Sequence, residues 1–190
     1  MRLFAAIELD EAARAAIAEE QQRLVELLRA HRATVPRLVS AEHMHLTLVF
    51  IGEVPEARAP AIVRAAAAPI ALPPFGVGFG GIGAFPPRGA PRVLWLGLAD
   101  GAPAIVELQE TIASRLEQAG VAREPRPFQP HLTLGRWKES RASDRPRADE
   151  TTPAMVARVE VDSVALIQSR LSSRGPTYAV LARAALGGVH

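Results

Sequence analysis

The tetrapeptide His45-Leu46-Thr47-Leu48, inside EHMHLTLVFIG (42–52), is written again as His131-Leu132-Thr133-Leu134, inside PHLTLGR (130–136). The chain has only five histidines and seven threonines, so two identical copies built on those residues are a poor candidate for coincidence. Each copy alternates polar and apolar residues, the pattern of a half-buried β-strand. Side chains alternate faces along a strand, so each Leu pair packs inward while His45 with Thr47, and His131 with Thr133, stand together on the opposite face.

Working outward, RLFAAIEL (2–9) reads as a buried strand, after which Asp10 caps a helix reaching about Arg32 with Ile17, Leu24 and Leu28 on one stripe. PRLVS (36–40) and MHLTLVFIG (44–52) are strands around a turn, followed by a helix that opens at Pro55 and closes before Pro69. RVLWLGL (92–98) is a strand, and Asp100 precedes a helix with Ile105, Leu108, Ile112 and Leu116 on one face and Gly120 beyond its end. In this reading Trp95, flanked by Leu94 and Leu96, is a packing residue. After HLTLGRW (131–137), residues 139–153 are charged and Pro-containing and are expected to be an exposed, mobile loop. ARVEVDSVALIQSRL (157–171) and PTYAVLARAAL (176–186) read as two closing strands around a turn at SSRGP. The order βα, ββα, ββα, β and a hairpin predicts an α+β fold with mainly antiparallel sheets, and the second half loosely echoes the first.

Several function classes drop out on composition. Hydrophobic residues make up 48% and charged residues 22% of 190, ordinary values for a folded soluble chain. There is no Cys, which removes disulfides, thiolate nucleophiles and Cys-ligated zinc together. Net charge is only +2, and among the cations 21 are Arg against one Lys. Arg presents a planar fork suited to phosphate, though base composition of the genome explains the bias equally well. Residues 65–87 carry no charge, but five prolines and five glycines prevent them from forming a membrane-spanning helix. The N-terminal stretch meets Glu8, Asp10 and Glu11 before any long apolar run, unlike a secretory signal, so a cytoplasmic location is expected. Gly76, Gly78 and Gly81 spell G-x-G-x-x-G, yet AFPPRGAPR follows and cannot open the helix a dinucleotide site requires. These glycines are read as bulged or tightly packed strand residues.

Two imidazoles and two hydroxyls make a particular toolkit. A neutral His takes a proton from water while a protonated His gives one to a leaving oxygen, since an ordinary pKa of about 6.5 makes both forms accessible. Thr hydroxyls donate to non-bridging phosphoryl oxygens. A phosphate clamped between two such strands meets a base on one side and an acid on the other, as in-line displacement demands.

The doubled HLTL, together with MRLF at the start, PRVLW mid-chain, RPFQPHLTLGR and a late SRL, resembles the two-histidine phosphoesterases. Within them the RNA 2',3'-cyclic phosphodiesterases, also called the 2'-5' RNA ligase family, are most similar, over nearly the whole chain. The resemblance implies a single two-lobed domain over residues 1–190: a pseudo-twofold α+β fold in which two mainly antiparallel sheets flank a central cleft, with helices outside. It also implies metal-independent opening of a 2',3'-cyclic phosphate, on RNA ends or nucleotides, to a 2'-phosphomonoester by a cofactor-free, monomeric enzyme that needs no membrane. By position, His45 and His131 are then acid and base, in an order left open, Thr47 and Thr133 hold the phosphate, and Arg136 pairs with its charge.

The chain departs from the family in lacking a Trp shortly before the first motif and in placing His43 where a small polar residue is usual. His43 touches ligand if the strand begins early, and Phe4 is a stacking candidate for a base. Three rival readings accompany this one: a metal hydrolase recruiting His43 as third ligand, a non-catalytic module that holds RNA ends, and 2'-5' joining of RNA ends by the reverse reaction.

Overall fold

The structure, a computed structural model, describes residues 1–146, 153–172 and 175–187. Nine strands and three helices follow in the order β1 (Arg2–Glu8), α1 (Glu11–Ala30), β2 (Arg37–Leu38), β3 (His45–Glu53), α2 (Ala59–Ala67), β4 (Phe75–Phe85), β5 (Val93–Asp100), α3 (Ala102–Gln118), β6 (Leu132–Arg136), β7 (Ala157–Val161), β8 (Ser163–Ser172) and β9 (Gly175–Ala185). Asp10 caps α1 as its position requires, its carboxylate accepting from the Ala13 N–H at 2.7 Å. Ile105, Leu108, Ile112 and Leu116 form the buried stripe of α3. The Gly-rich segment is strand β4, as the sequence indicates. Among the described residues no helix is long and apolar enough to cross a membrane.

All pairings between these strands are antiparallel and run β7-β4-β5-β6-β3-β1-β8-β9, with β2 joined to the free edge of β6; outside them, a single parallel bridge links Ile70 and Leu186. The fold is α+β with an antiparallel sheet, as expected. In place of two separate sheets, however, two half-sheets are hydrogen-bonded into one at a narrow seam, where β3 and β6 share a single register pair, Leu46↔Leu132. Both leucines are fully buried and lie in one core with the apolar stripes of the helices. The other face carries only a small buried layer of Phe4, Ala6, Ala165 and Ile167, against which Tyr178 packs.

Two expectations need correction. Residues 157–171 are not one strand: β7 and β8 are separated by Asp162 alone, and they pair with different neighbours, β4 and β1. The only sequence sign of this break is the polar pair Asp162-Ser163, which interrupts the alternation with no Gly or Pro beside it. Since the two strands stand near opposite ends of the pairing order, a one-residue link of about 3.5 Å forces the sheet to curl back on itself.

The 139–153 segment is also anchored in its first part. Asp144 is only 4% exposed and accepts from the backbone N–H of Arg141 at 2.7 Å and of Thr34 at 3.0 Å. Those bonds hold its carboxyl below the ordinary range. The Trp137 indole N–H donates to the Thr34 carbonyl at 2.6 Å, so β6 and the segment after it are tied to the chain leaving α1. Residues 147–152 lie outside the described residues.

Gln21, on the buried side of α1, ties the same region. Its amide donates to Val39 O at 2.9 Å and to Leu134 O at 2.7 Å, so one side chain clamps β6 to the segment beside it. Removing this donor takes a partner from both carbonyls, although Leu134 O keeps the Val39 N–H at 2.9 Å. Gln21→Ala is therefore expected to lower unfolding free energy by about 1–3 kcal/mol, read by urea denaturation monitored by circular dichroism. A loss below a few tenths would show that these carbonyls find other donors.

Candidate active site

Counting one residue outward from Leu46↔Leu132 in antiparallel register sets His45 across from Thr133 and Thr47 across from His131. The four polar side chains of the doubled motif therefore share one face about a local twofold. His45 and His131 are diagonal neighbours, a relation worth about 7–8 Å between paired strands. All four are half-buried, while Leu46, Leu48, Leu132 and Leu134 point to the core.

Each motif is followed by a bulge at the equivalent place. On β3, Ala6 faces Thr47 but Ala5 faces Val49, so Leu48 is supernumerary; on β6, Trp95 faces Thr133 but Leu94 faces Gly135, so Leu134 is. A bulge resets the alternation of faces. The residue three after each Thr consequently returns to the Thr side. In the second copy it is Arg136. In the first it is Phe50, directly across β1 from Phe4 and 56% exposed, with the Arg2 guanidinium 5.0 Å from its ring centre.

The two imidazoles are held alike. His45 Nδ1 lies 2.8 Å from the carbonyl of His43, and His131 Nδ1 lies 2.8 Å from the carbonyl of Gln129, each two residues upstream. A carbonyl only accepts, so each Nδ1 carries the proton and each Nε2 is left for chemistry. Aromatic walls complete the setting. The His45 ring stacks on Phe4 at 4.7 Å and meets Tyr178 edge-on at 5.5 Å; the His131 ring meets Phe85 edge-on at 4.9 Å, with Trp95 at 6.3 Å.

Burial is the largest influence on both rings and pushes each pKa below the usual His value, against the backbone carbonyl, which favours the charged form. The positive charge of Arg136 lowers both further, and His43 adds to the effect on His45. Arg136 also acts on Tyr178, whose hydroxyl is raised mainly by burial. The Arg136 charge thus acts on His45, His131 and Tyr178 alike, with Arg2 adding to its effect on Tyr178. Arg136 itself stands on an exposed strand end with Arg37 directly across from it on β2. Like charges opposed across strands repel, and an anion between them relieves this.

The remaining sequence-chosen residues fall at the margins of this set. Strand β3 starts at His45, so His43 occupies a 3₁₀ turn (Ala41–His43), its Nδ1 3.0 Å from Ser40 Oγ and its ring 4.8 Å from Tyr178. Phe4 is only 4% exposed and gives its face to His45, so it serves as a wall behind the imidazole and offers little surface to a base. Trp95 is on the site face across from Thr133, not on the core face with Leu94 and Leu96. Sequence reasoning missed Tyr178, Phe85 and Phe50. Superposing the two motifs flags Phe50, since it matches Arg136; Tyr178 and Phe85 give no such signal, because only the strand pairing brings them to the histidines. Among the described residues no three His, Asp or Glu side chains cluster as metal ligands.

Comparison with known proteins agrees with this geometry. A model of the 2'-5' RNA ligase superfamily matches residues 11–172. This chain belongs to that superfamily. An RNA 2',3'-cyclic phosphodiesterase of Archaeoglobus fulgidus is 30% identical across 94% of this chain and 96% of its own length. Its namesake in Thermus thermophilus is 35% identical across all of this chain and 92% of its own. Among solved structures, Thermus thermophilus TT0787 superposes with a TM-score of 0.80 at 32% identity, covering both chains completely. Escherichia coli LigT in its apo form gives 0.74 at 28% identity, covering 97% of this chain and 96% of that one. LigT has also been crystallised with 3'-AMP and with phosphate.

If one guanidinium couples to both imidazoles, its neutralisation must move both. Arg136→Gln is expected to raise the pKa of His45 and of His131, followed by NMR titration of the ring resonances. Inorganic phosphate added to the unaltered protein shifts them in the same direction. Movement of one ring alone would show that Arg136 does not act on both.

Proposed function

We propose that this site opens 2',3'-cyclic phosphates, on RNA ends or on nucleotides, to 2'-phosphomonoesters, using His45 and His131 as a paired acid and base without a metal ion. The observation that carries this reading is the matched presentation of two imidazoles on one face, each with its Nδ1–H committed to a carbonyl two residues upstream and its Nε2 left over. The naming of relatives as RNA 2',3'-cyclic phosphodiesterases supports the choice of substrate.

In this route the neutral imidazole accepts a proton from water as its oxygen bonds to phosphorus in line with the ribose 3'-oxygen. The P–O3' bond breaks, the protonated imidazole delivers its proton to O3', and the phosphate stays on O2'. Thr47 and Thr133, set beside the opposite histidine by the register, donate their hydroxyls to the non-bridging oxygens. Arg136 offsets the charge that gathers there. Phe50, open on the same face, is a surface for the base of the reacting nucleotide.

Only the singly protonated pair is productive, so kcat/KM is bell-shaped in pH. Burial and Arg136 depress both free-enzyme values, which sets the kcat/KM optimum on the acid side of about 6.5. Bound phosphate raises them, so the kcat profile is displaced to higher pH. Hydrolysis of a cyclic nucleotide in EDTA should yield the 2'-phosphate, and His45→Ala and His131→Ala should each lower kcat by about 10²–10⁴-fold with the fold intact. A 3'-phosphate product, loss of activity in EDTA, or full activity in either variant overturns the reading.

A further inference from the structure

The two halves of the site are equivalent at the histidines and differ just beyond them. On the first side, the residue across from His45 is Glu8, whose carboxylate is held by Arg183 through bonds of 2.8 and 3.2 Å. On the second side the matching position, one step past the Leu96–Leu132 pair, is Gly97. Where the first half carries an ion pair, the second is bare backbone.

That bareness extends into β4. The β4–β5 ladder is irregular between Phe79 and Ile82, leaving Gly80 and Gly81 without register partners, and Gly81 adopts a φ of +71°. Bulges and strand glycines commonly mark the close approach of a ligand to the backbone. Here they floor an open hollow of about 350 Å³, with Gly80, Gly81 and Gly97 beneath and Trp95, Leu98 and Gln129 as walls. The volume falls at the lower end of small-molecule sites. The hollow adjoins the reaction centre: Trp95 borders it while its ring centre lies 6.3 Å from that of His131, and the Gln129 carbonyl orients that imidazole. A lining of peptide backbone at three glycines, with Trp95 and Gln129 beside it, suits a planar heterocycle with a hydrogen-bonding edge.

We propose that this hollow holds the base of the nucleotide preceding the one that carries the cyclic phosphate, so that the preferred substrate is an oligonucleotide end. The inference rests on the phosphodiesterase reading above. Phe50 already offers an open ring to the terminal base on the first side, whereas the hollow is set off from the phosphate position by Trp95 and by Gln129–Pro130. It is therefore placed for the next base along the strand.

The test compares adenosine 2',3'-cyclic phosphate with the dinucleotide ApA bearing the same cyclic end. In the unaltered enzyme the dinucleotide is expected to show a KM about tenfold lower. Ala102→Trp, at the partly exposed first position of α3 and facing the hollow, should abolish this advantage while leaving mononucleotide kinetics within about twofold. No advantage in the unaltered enzyme, its survival in the variant, or an equal loss on both substrates overturns the proposal. If the variant does not fold, quenching of Trp95 emission in the unaltered protein decides. The dinucleotide 2'-phosphate should quench and adenosine 2'-monophosphate should not, with the buried Trp137 silent. Equal quenching by both ligands, or by neither, defeats the proposal. Failure to hydrolyse either cyclic substrate counts against the phosphodiesterase reading, and the quenching result still stands on its own.

Discussion

The site depends on one backbone pairing. Where β3 meets β6 at Leu46 and Leu132, two copies of the same tetrapeptide cross antiparallel, and the period of two along a strand does the rest. Shifting either strand by one residue would bury its own histidine and threonine and expose its two leucines. Burial of the leucines therefore fixes the register, and the register fixes which hydroxyl stands beside which imidazole. The paired bulges extend this logic by three residues, which brings Arg136 around to the face of the two histidines and makes Phe50 its counterpart.

Electrostatics then divide the labour. Each imidazole spends one nitrogen on a carbonyl and keeps the other for exchange, while burial among aromatic rings disfavours the charged form. Both rings are thereby biased toward the neutral form, and under the proposed reading a bound anion would offset that bias.

Most of this was legible because it was local. HLTL twice announced two strands, their faces and four site residues; Asp10, Gly120 and the α3 stripe marked helices that the structure bears out. What escaped depended on contacts between distant segments. Tyr178 reaches His45 from β9 only because β8 inserts between that strand and β1, and Trp95 read as packing because its flanking leucines are core residues. The 139–146 segment looked free because the partners of Asp144 and Trp137 lie on the far side of the sequence at Thr34. The break at Asp162 was easy to pass over because two consecutive polar residues, Asp162 and Ser163, with no Gly or Pro beside them, are its only mark.

That lone aspartate has a mechanical meaning. Following the ladder from β7 through β4, β5, β6, β3 and β1 to β8, and returning through Asp162, traces a circuit closed by one covalent step. A ring cannot gape at one joint while its opposite joint is pinned. The narrow Leu46–Leu132 junction, which alone would make a loose hinge, is thereby braced from behind by the chain passing through Asp162.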